Sequence, residues 1–271
     1  MINFNFSLFI FGRLKESCFC IFNKAGDSIS YFVESIIISI SRSAGNNFFT
    51  GLENGKILEF KIINLEQCNN NGLIDVHALQ IKLKRNFMAH KKRVSGIYYS
   101  ELFGLIISSG DDHKIFIRKY YDLSLLTVIN IDHKLCMDIK IRHNYLYILL
   151  YDEEEKKNIV ELRSVNGLIM SNTVYNLYNN IDFDKDGYLL IGLAKEKIIQ
   201  VYNPALTKKI KDIDLNQMTL QGEKKETKEI KVEDTTFFLK FIYQRENSSI
   251  YCYFSNGNLI QKVLEPINQN K

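Results

Sequence analysis

Short runs of apolar or alternating residues, each closed by Gly, Asn, Asp or Ser, follow one another along almost the whole chain. Such runs read as β-strands bounded by turns. The stretch 89–131 holds four: Val94 to Tyr99, Leu105 to Ser109, Lys114 to Tyr120 and Leu123 to Ile129. The same order of strand, turn, strand, acidic or Asn-Gly turn and strand recurs over residues 35–62, 179–213 and 235–267. Their hairpins carry Asn54-Gly55, Asp186-Gly187 and Asn256-Gly257. A two-residue turn that matches strand twist needs positive φ at both central residues, which is why Asn-Gly and Asp-Gly mark hairpins. Two weaker copies lie at 132–171, whose acidic and lysine-rich middle reads as a lengthened hairpin loop, and at 3–32, which offers three strands without a clear outer one.

Self-similarity at about 40 to 50 residues is the spacing of propeller blades. The strands are apolar on both sides, as in "LLIGL", "YLYILL" and "IYCYF". A four-stranded sheet of that kind cannot bury both faces alone, so successive sheets stack and radial closure removes exposed ends. The expectation is an all-β, single-domain β-propeller over 1–271 with about six four-stranded blades. They fall near 3–32, 35–88, 89–131, 132–171, 172–213 and 235–267, with the first incomplete at the N-terminus. A charged insert at 214–234 and a second at 63–79 lengthen the links between blades. The opening "MINFNFSLFIFGRLK" has no basic residue ahead of its apolar run and no small-residue cleavage site after it. It reads as a strand that begins abruptly, as in the tail of a longer polypeptide.

Residues 89–119 resemble a WD repeat: Ala89-His90 stands for the Gly-His pair, Ser108-Ser109-Gly110 for the small-residue strand, and Asp112 for the turn aspartate. The resemblance implies that His90 and Asp112 join a hydrogen-bonded network that ties the blade together. The closing Trp-Asp is absent, since the chain has no Trp: Arg118, Phe60 and Tyr202 hold the first position in three blades, followed by Lys119, Lys61 and Asn203. The phrase "HKKRVSGIYYSELFGLIISSGDDHKIFIRKYYDLSLL" is also similar to the terminal propeller of BEACH-domain proteins. That likeness implies a cytoplasmic scaffold in vesicle traffic, peripheral on vesicle or lysosomal membranes.

Composition narrows the chemistry. The net charge of +4 comes from 35 basic and 31 acidic residues spread along the chain, short of the basic stripe of a nucleic-acid binder. Five cysteines without a C-x-x-C pair point to buried thiols in a reducing compartment. The five histidines include no pair at zinc spacing, and no nucleophile elbow, P-loop or H-E-x-x-H occurs. "DEEE" at 152–155 reads as a solvated loop tip and "DFDKDG" at 182–187 as a hairpin, since it lacks the closing Glu of a calcium loop. His113 falls in a hairpin turn and reads as solvated. No catalytic residue, metal, cofactor or small-molecule substrate is expected.

The remaining candidates are interaction residues. "KLKRNFMAHKKR" carries Lys82, Lys84, Arg85, Lys91, Lys92 and Arg93 with no acid among them, on an outer strand and the loop after it. Such a patch fits an acidic protein partner or an anionic membrane surface, though lysine on an edge strand also guards against edge-to-edge pairing. Arg118, Tyr120 and Tyr121 in "RKYYDL" extend the set, because Tyr and Arg are common interface anchors. The function expected is a non-catalytic scaffold for protein partners. A free-standing adaptor subunit and a membrane-surface module are the alternatives.

Overall fold

The computed structural model describes residues 2–4, 8–12, 16–23, 25–70, 73–175, 180–193, 196–215, 218–220, 228–230, 238–244, 248–254 and 259–263. The first sheet runs β1 (Ile2–Phe4), β2 (Leu8–Gly12), β3 (Cys18–Asn23) and β4 (Ser28–Phe32). The second holds β5 (Ile37–Arg42), β6 (Asn47–Leu52) and β7 (Lys56–Ile62). The chain then makes the short pair β8 (Asn69–Asn70) and β9 (Leu73–Ile74) and a 3-10 turn at Val76–Ala78, before β10 (Ile81–Met88) completes that sheet beside β7. The third consists of β11 (Val94–Ser100), β12 (Leu105–Gly110), β13 (Lys114–Lys119) and β14 (Leu125–Asn130). The fourth consists of β15 (Lys134–Arg142), β16 (Tyr145–Asp152), β17 (Lys157–Ser164) and β18 (Ile169–Tyr175), and the fifth of β19 (Ile181–Phe183), β20 (Leu189–Leu193), β21 (Ile198–Tyr202) and β22 (Lys209–Asp214). A pair, β23 (Met218–Leu220) with β24 (Lys228–Ile230), precedes a last sheet of β25 (Phe238–Gln244), β26 (Ser249–Phe254) and β27 (Leu259–Val263).

The strands divide between two compact units, Met1–Met137 with Val165–Gly167, and Asp138–Ser164 with Leu168–Lys271. In the first unit β11 lies against β5, tied by the Ser39 hydroxyl donating to the Val94 carbonyl at 3.0 Å. Phe19, Phe48 and Phe60 meet in one core, Phe19 edge to face on Phe48 and tilted on Phe60 with Phe48 and Phe60 stacked, and Phe49, Ile57, Val94 and Ile106 form the next. Central strands such as β6 and β20 are buried at every position, so both faces are covered, which is why β20 reads as a continuous apolar run. In the second unit β19 and β20 pack on β25. The Asn180 amide donates to the Phe241 carbonyl at 2.8 Å, and the Tyr147 hydroxyl to the Pro204 carbonyl at 2.6 Å.

Four details differ from the sequence reading. Residues 3–32 give four strands, because the opening apolar run is two strands, β1 and β2, paired antiparallel. Asn5 and Ser7 are the only turn-type residues between them, with no Gly or Pro, so the break is weakly marked in the sequence. The insert at 63–79 does not link blades. It lies between the third and edge strands of one sheet, and its Leu65, Cys68, Ile74, Val76 and Leu79 enter the first core, with the Tyr31 hydroxyl donating to the Leu79 carbonyl. The edge strand after Tyr121 starts at Leu125, because Leu123 takes φ 60° in the turn. His113 is half-buried, with Nδ1 3.0 Å from the Lys134 carbonyl. Asn256-Gly257, and most of the charged insert 214–234, lie outside the described residues.

Candidate functional site

Blade three begins where β10 ends. Ala89 and His90 both donate their amides to the Gly55 carbonyl at 3.0 Å, which seats the loop between β10 and β11 on the β6–β7 turn. Gly55 itself takes φ 85°, and a side chain there would run into the His90 carbonyl. His90 is 2% exposed and uses both ring nitrogens: Nδ1 lies 2.8 Å from Asp112 Oδ1 and Nε2 2.9 Å from Ser108 Oγ. Phe116 covers the ring at 4.8 Å. The second Asp112 oxygen accepts the Lys91 amide at 3.0 Å. Loop, turn and central strand are therefore joined through one imidazole.

Charge follows from that geometry. Burial pulls the His90 pKa below the ordinary histidine value, and the Asp112 carboxylate only partly opposes it. Burial works against the Asp112 carboxylate too, but the Lys91 amide and the His90 ring outweigh it and hold its pKa below the usual range. A neutral imidazole bonded to an ionised carboxylate is the state these directions favour.

A second polar cluster joins blades two and three. Glu59 on β7 is 0% exposed and faces Arg85 across the ladder. Arg85 Nε donates to Glu59 Oε2 at 2.5 Å, Tyr120 Oη to Oε1 at 2.6 Å, Ser43 Oγ to Oε1 at 3.2 Å and Lys84 Nζ to Oε1 at 3.3 Å. Tyr120 comes from the corner between β13 and β14, so its hydroxyl reaches into the neighbouring sheet. The Arg85 guanidinium stacks over the Tyr120 ring at 4.5 Å and the Lys84 ammonium lies 5.0 Å from it. Burial opposes the Lys84 charge, yet the bonds to Tyr120 and Glu59 lift its pKa above the ordinary value.

The expected interaction residues thus fall into separate places. Lys84, Arg85 and Tyr120 are joined around Glu59. Lys91, Lys92 and Arg93 occupy the loop at the far end of β10, where Arg93 pairs with Asp111. Arg118 stacks on Phe116 at 5.2 Å, and burial lowers its pKa. Lys82 is exposed on β10, and Tyr121 is 79% exposed at the β13–β14 corner. The sequence reading missed Ser108 as the third member of the His90 network, and it missed Glu59. The signal for Glu59 was present: a lone acid inside "KILEFKI", a strand with too little polar character to leave a solvated side.

No family model and no curated protein matches this chain. Among solved structures, a chain of the crystal structure of the Mitotic Checkpoint Complex superposes with a TM-score of 0.68 at 12% identity, covering 95% of this chain and 73% of that one. The computationally designed Ika8 protein gives 0.54 at 11% identity, covering 95% and 77%. Successive four-stranded antiparallel sheets, together with this likeness, make the fold a blade-based β-propeller. The checkpoint-complex chain is a WD-repeat propeller, and the likeness assigns the β-propeller fold to this chain.

Proposed function

We propose that the chain is a non-catalytic docking platform for protein partners. The observation that carries this reading is how its buried polar groups are used. Both nitrogens of His90, both oxygens of Asp112 and both oxygens of Glu59 are bonded to neighbouring strands and loops, so the clusters that most resemble chemistry fasten blades together. Fastened sheets hold their edge strands and end loops in fixed geometry, which lowers the ordering cost of binding. Apolar side chains are left exposed at one corner of blade three, at Leu102, Tyr121, Leu125 and Leu126.

A membrane-surface role is less well supported. The basic residues split between β10 itself and the loop after it, and some already have acidic partners. At about 1 kcal/mol per basic residue near an anionic surface, the two or three in either place amount to about 2–3 kcal/mol, short of stable anchoring. The finer reading, a propeller of a BEACH-like protein at vesicular or lysosomal membranes, rests on the similarity of the phrase through Leu126. A transcript joining this sequence in frame to a BEACH domain tests it. For the platform itself the test is affinity capture from cytosol, followed by sizing of the eluate. A stoichiometric protein partner that survives physiological salt is expected. A chain that elutes alone, yet sediments with anionic vesicles at low salt, would favour the membrane role instead.

A further inference from the structure

The edge of β10 has features that the His90 and Glu59 clusters do not use. Its register places Lys82 directly opposite Lys61, and both ammonium groups are exposed. Like charges directly opposite on one face repel. Among the described residues, neither lysine has an ion-pair partner. The nearest buried acid, Glu59, is occupied by Arg85, Lys84 and Tyr120.

The main chain of the same strand is also open. Ile63 donates to Gln80 and Ala89 donates to Gly55, which fixes the bonded pairs on either side of the bulge between Leu83 and Arg85. Bonded and non-bonded pairs alternate in an antiparallel ladder. Lys82, Arg85 and Phe87 therefore turn their main chain toward β7, while Ile81, Leu83, Asn86 and Met88 turn theirs outward. The strand is the edge of its sheet, and Leu83 and Met88 are 43% and 60% exposed.

We infer that this edge takes an acidic, extended segment of a partner protein as a fifth strand. The added main chain pairs with the outward groups of Leu83, Asn86 and Met88. Its acidic side chains share a face with Lys82 and Lys61, and its apolar ones cover Leu83 and Met88. Charge selects the occupant. A second copy of β10 would set lysine against lysine, so the strand rejects itself and accepts a strand of opposite charge. The inference rests on the platform reading and names the partner chemistry for one edge of it.

The test uses the whole chain and a labelled, acetylated peptide that alternates Glu and Val, read by fluorescence anisotropy. Binding is expected, weakening as salt rises. Double replacement Lys61→Glu with Lys82→Glu lowers affinity at least about tenfold and creates binding to the matching Lys-Val peptide. Methylating alternate peptide nitrogens abolishes binding, since the main chain is what pairs. Equal binding of the methylated peptide, or an unchanged affinity in the double variant, overturns the inference. So does retention on phosphatidylserine vesicles that the double variant loses, with no peptide binding. If the double variant still captures a stoichiometric partner at full yield, this edge is excluded while the platform reading stands.

Discussion

Replacing Glu59 by Ala tests how blades two and three are held. The carboxylate is fully buried and accepts from Arg85, Tyr120, Ser43 and Lys84. Its removal leaves a guanidinium that is mostly covered, with a side chain 19% exposed, facing a hole where its counter-charge stood. Breaking a buried pair from one side costs about 3–5 kcal/mol. For a chain of 271 residues that is a fall in Tm of roughly 6–20 °C, at about 2–4 °C per kcal/mol. The exposed pair of Lys56 with Glu34 is the internal control, since Glu34→Ala is expected to cost under about 1 kcal/mol. Replacing Glu59 and Arg85 together by Met is expected to recover much of the loss, because the cost lies in the unpaired charge. Urea and thermal midpoints of the four proteins give the comparison. A Glu59→Ala loss no larger than that of Glu34→Ala would refute the claim that this carboxylate fastens the blades.

Three further outcomes follow from the same geometry. Because burial lowers the His90 pKa, the unfolded chain takes up that proton first as pH falls below about 6.5. Asp112, held low, contributes stability above its unfolded value and loses it as pH falls through its folded pKa. Tm is expected to be level near neutrality and to decline in acid, and His90→Gln should remove the part of the decline that begins near pH 6.5. Equal acid slopes in the two proteins would count against a neutral buried imidazole. Gly110→Ala places a methyl 2.5 Å from His90 Nδ1 and 2.9 Å from Asp112 Oδ1, so destabilisation of about 1–3 kcal/mol is expected in urea titration. Tyr147→Phe loses the 2.6 Å bond to the Pro204 carbonyl in the second unit and is expected to cost about 0.5–1.5 kcal/mol, with no effect on the His90 pH profile.

Much of the architecture was legible because the cues were local. Gly55 and Gly187 sit at positive φ in the turns that Asn-Gly and Asp-Gly marked. Continuous apolar strands such as "LLIGL" are buried at every position. His90 and Asp112 were suggested by the resemblance of 89–119 to a WD repeat, which one blade supplies by itself, and their side chains lie 2.8 Å apart. Glu59 and Tyr120 could not be joined in that way. They lie 61 residues apart on different blades, and only the register of β7 with β10 and the turn after β13 brings them together. The basic run looked like one patch because it is continuous in sequence. On a strand and the loop beyond it, the same residues separate to different partners, Glu59 for Lys84 and Arg85 and Asp111 for Arg93. The insert at 63–79 was misplaced for a related reason: Leu65, Cys68, Ile74, Val76 and Leu79 are too irregularly spaced to show a period, yet they fill a core.

Hydrogen exchange on the chain, free and bound to a partner captured from cytosol, tests the docking account most directly. It predicts slowed exchange in the edge strand Ile81–Met88 and in the corner loops of blade three, with the buried strands β6 and β12 unchanged. Slowing confined to the first strands β5 and β11, with every edge strand and loop unaffected, would contradict it and point to a ligand held at the inner side of the blades.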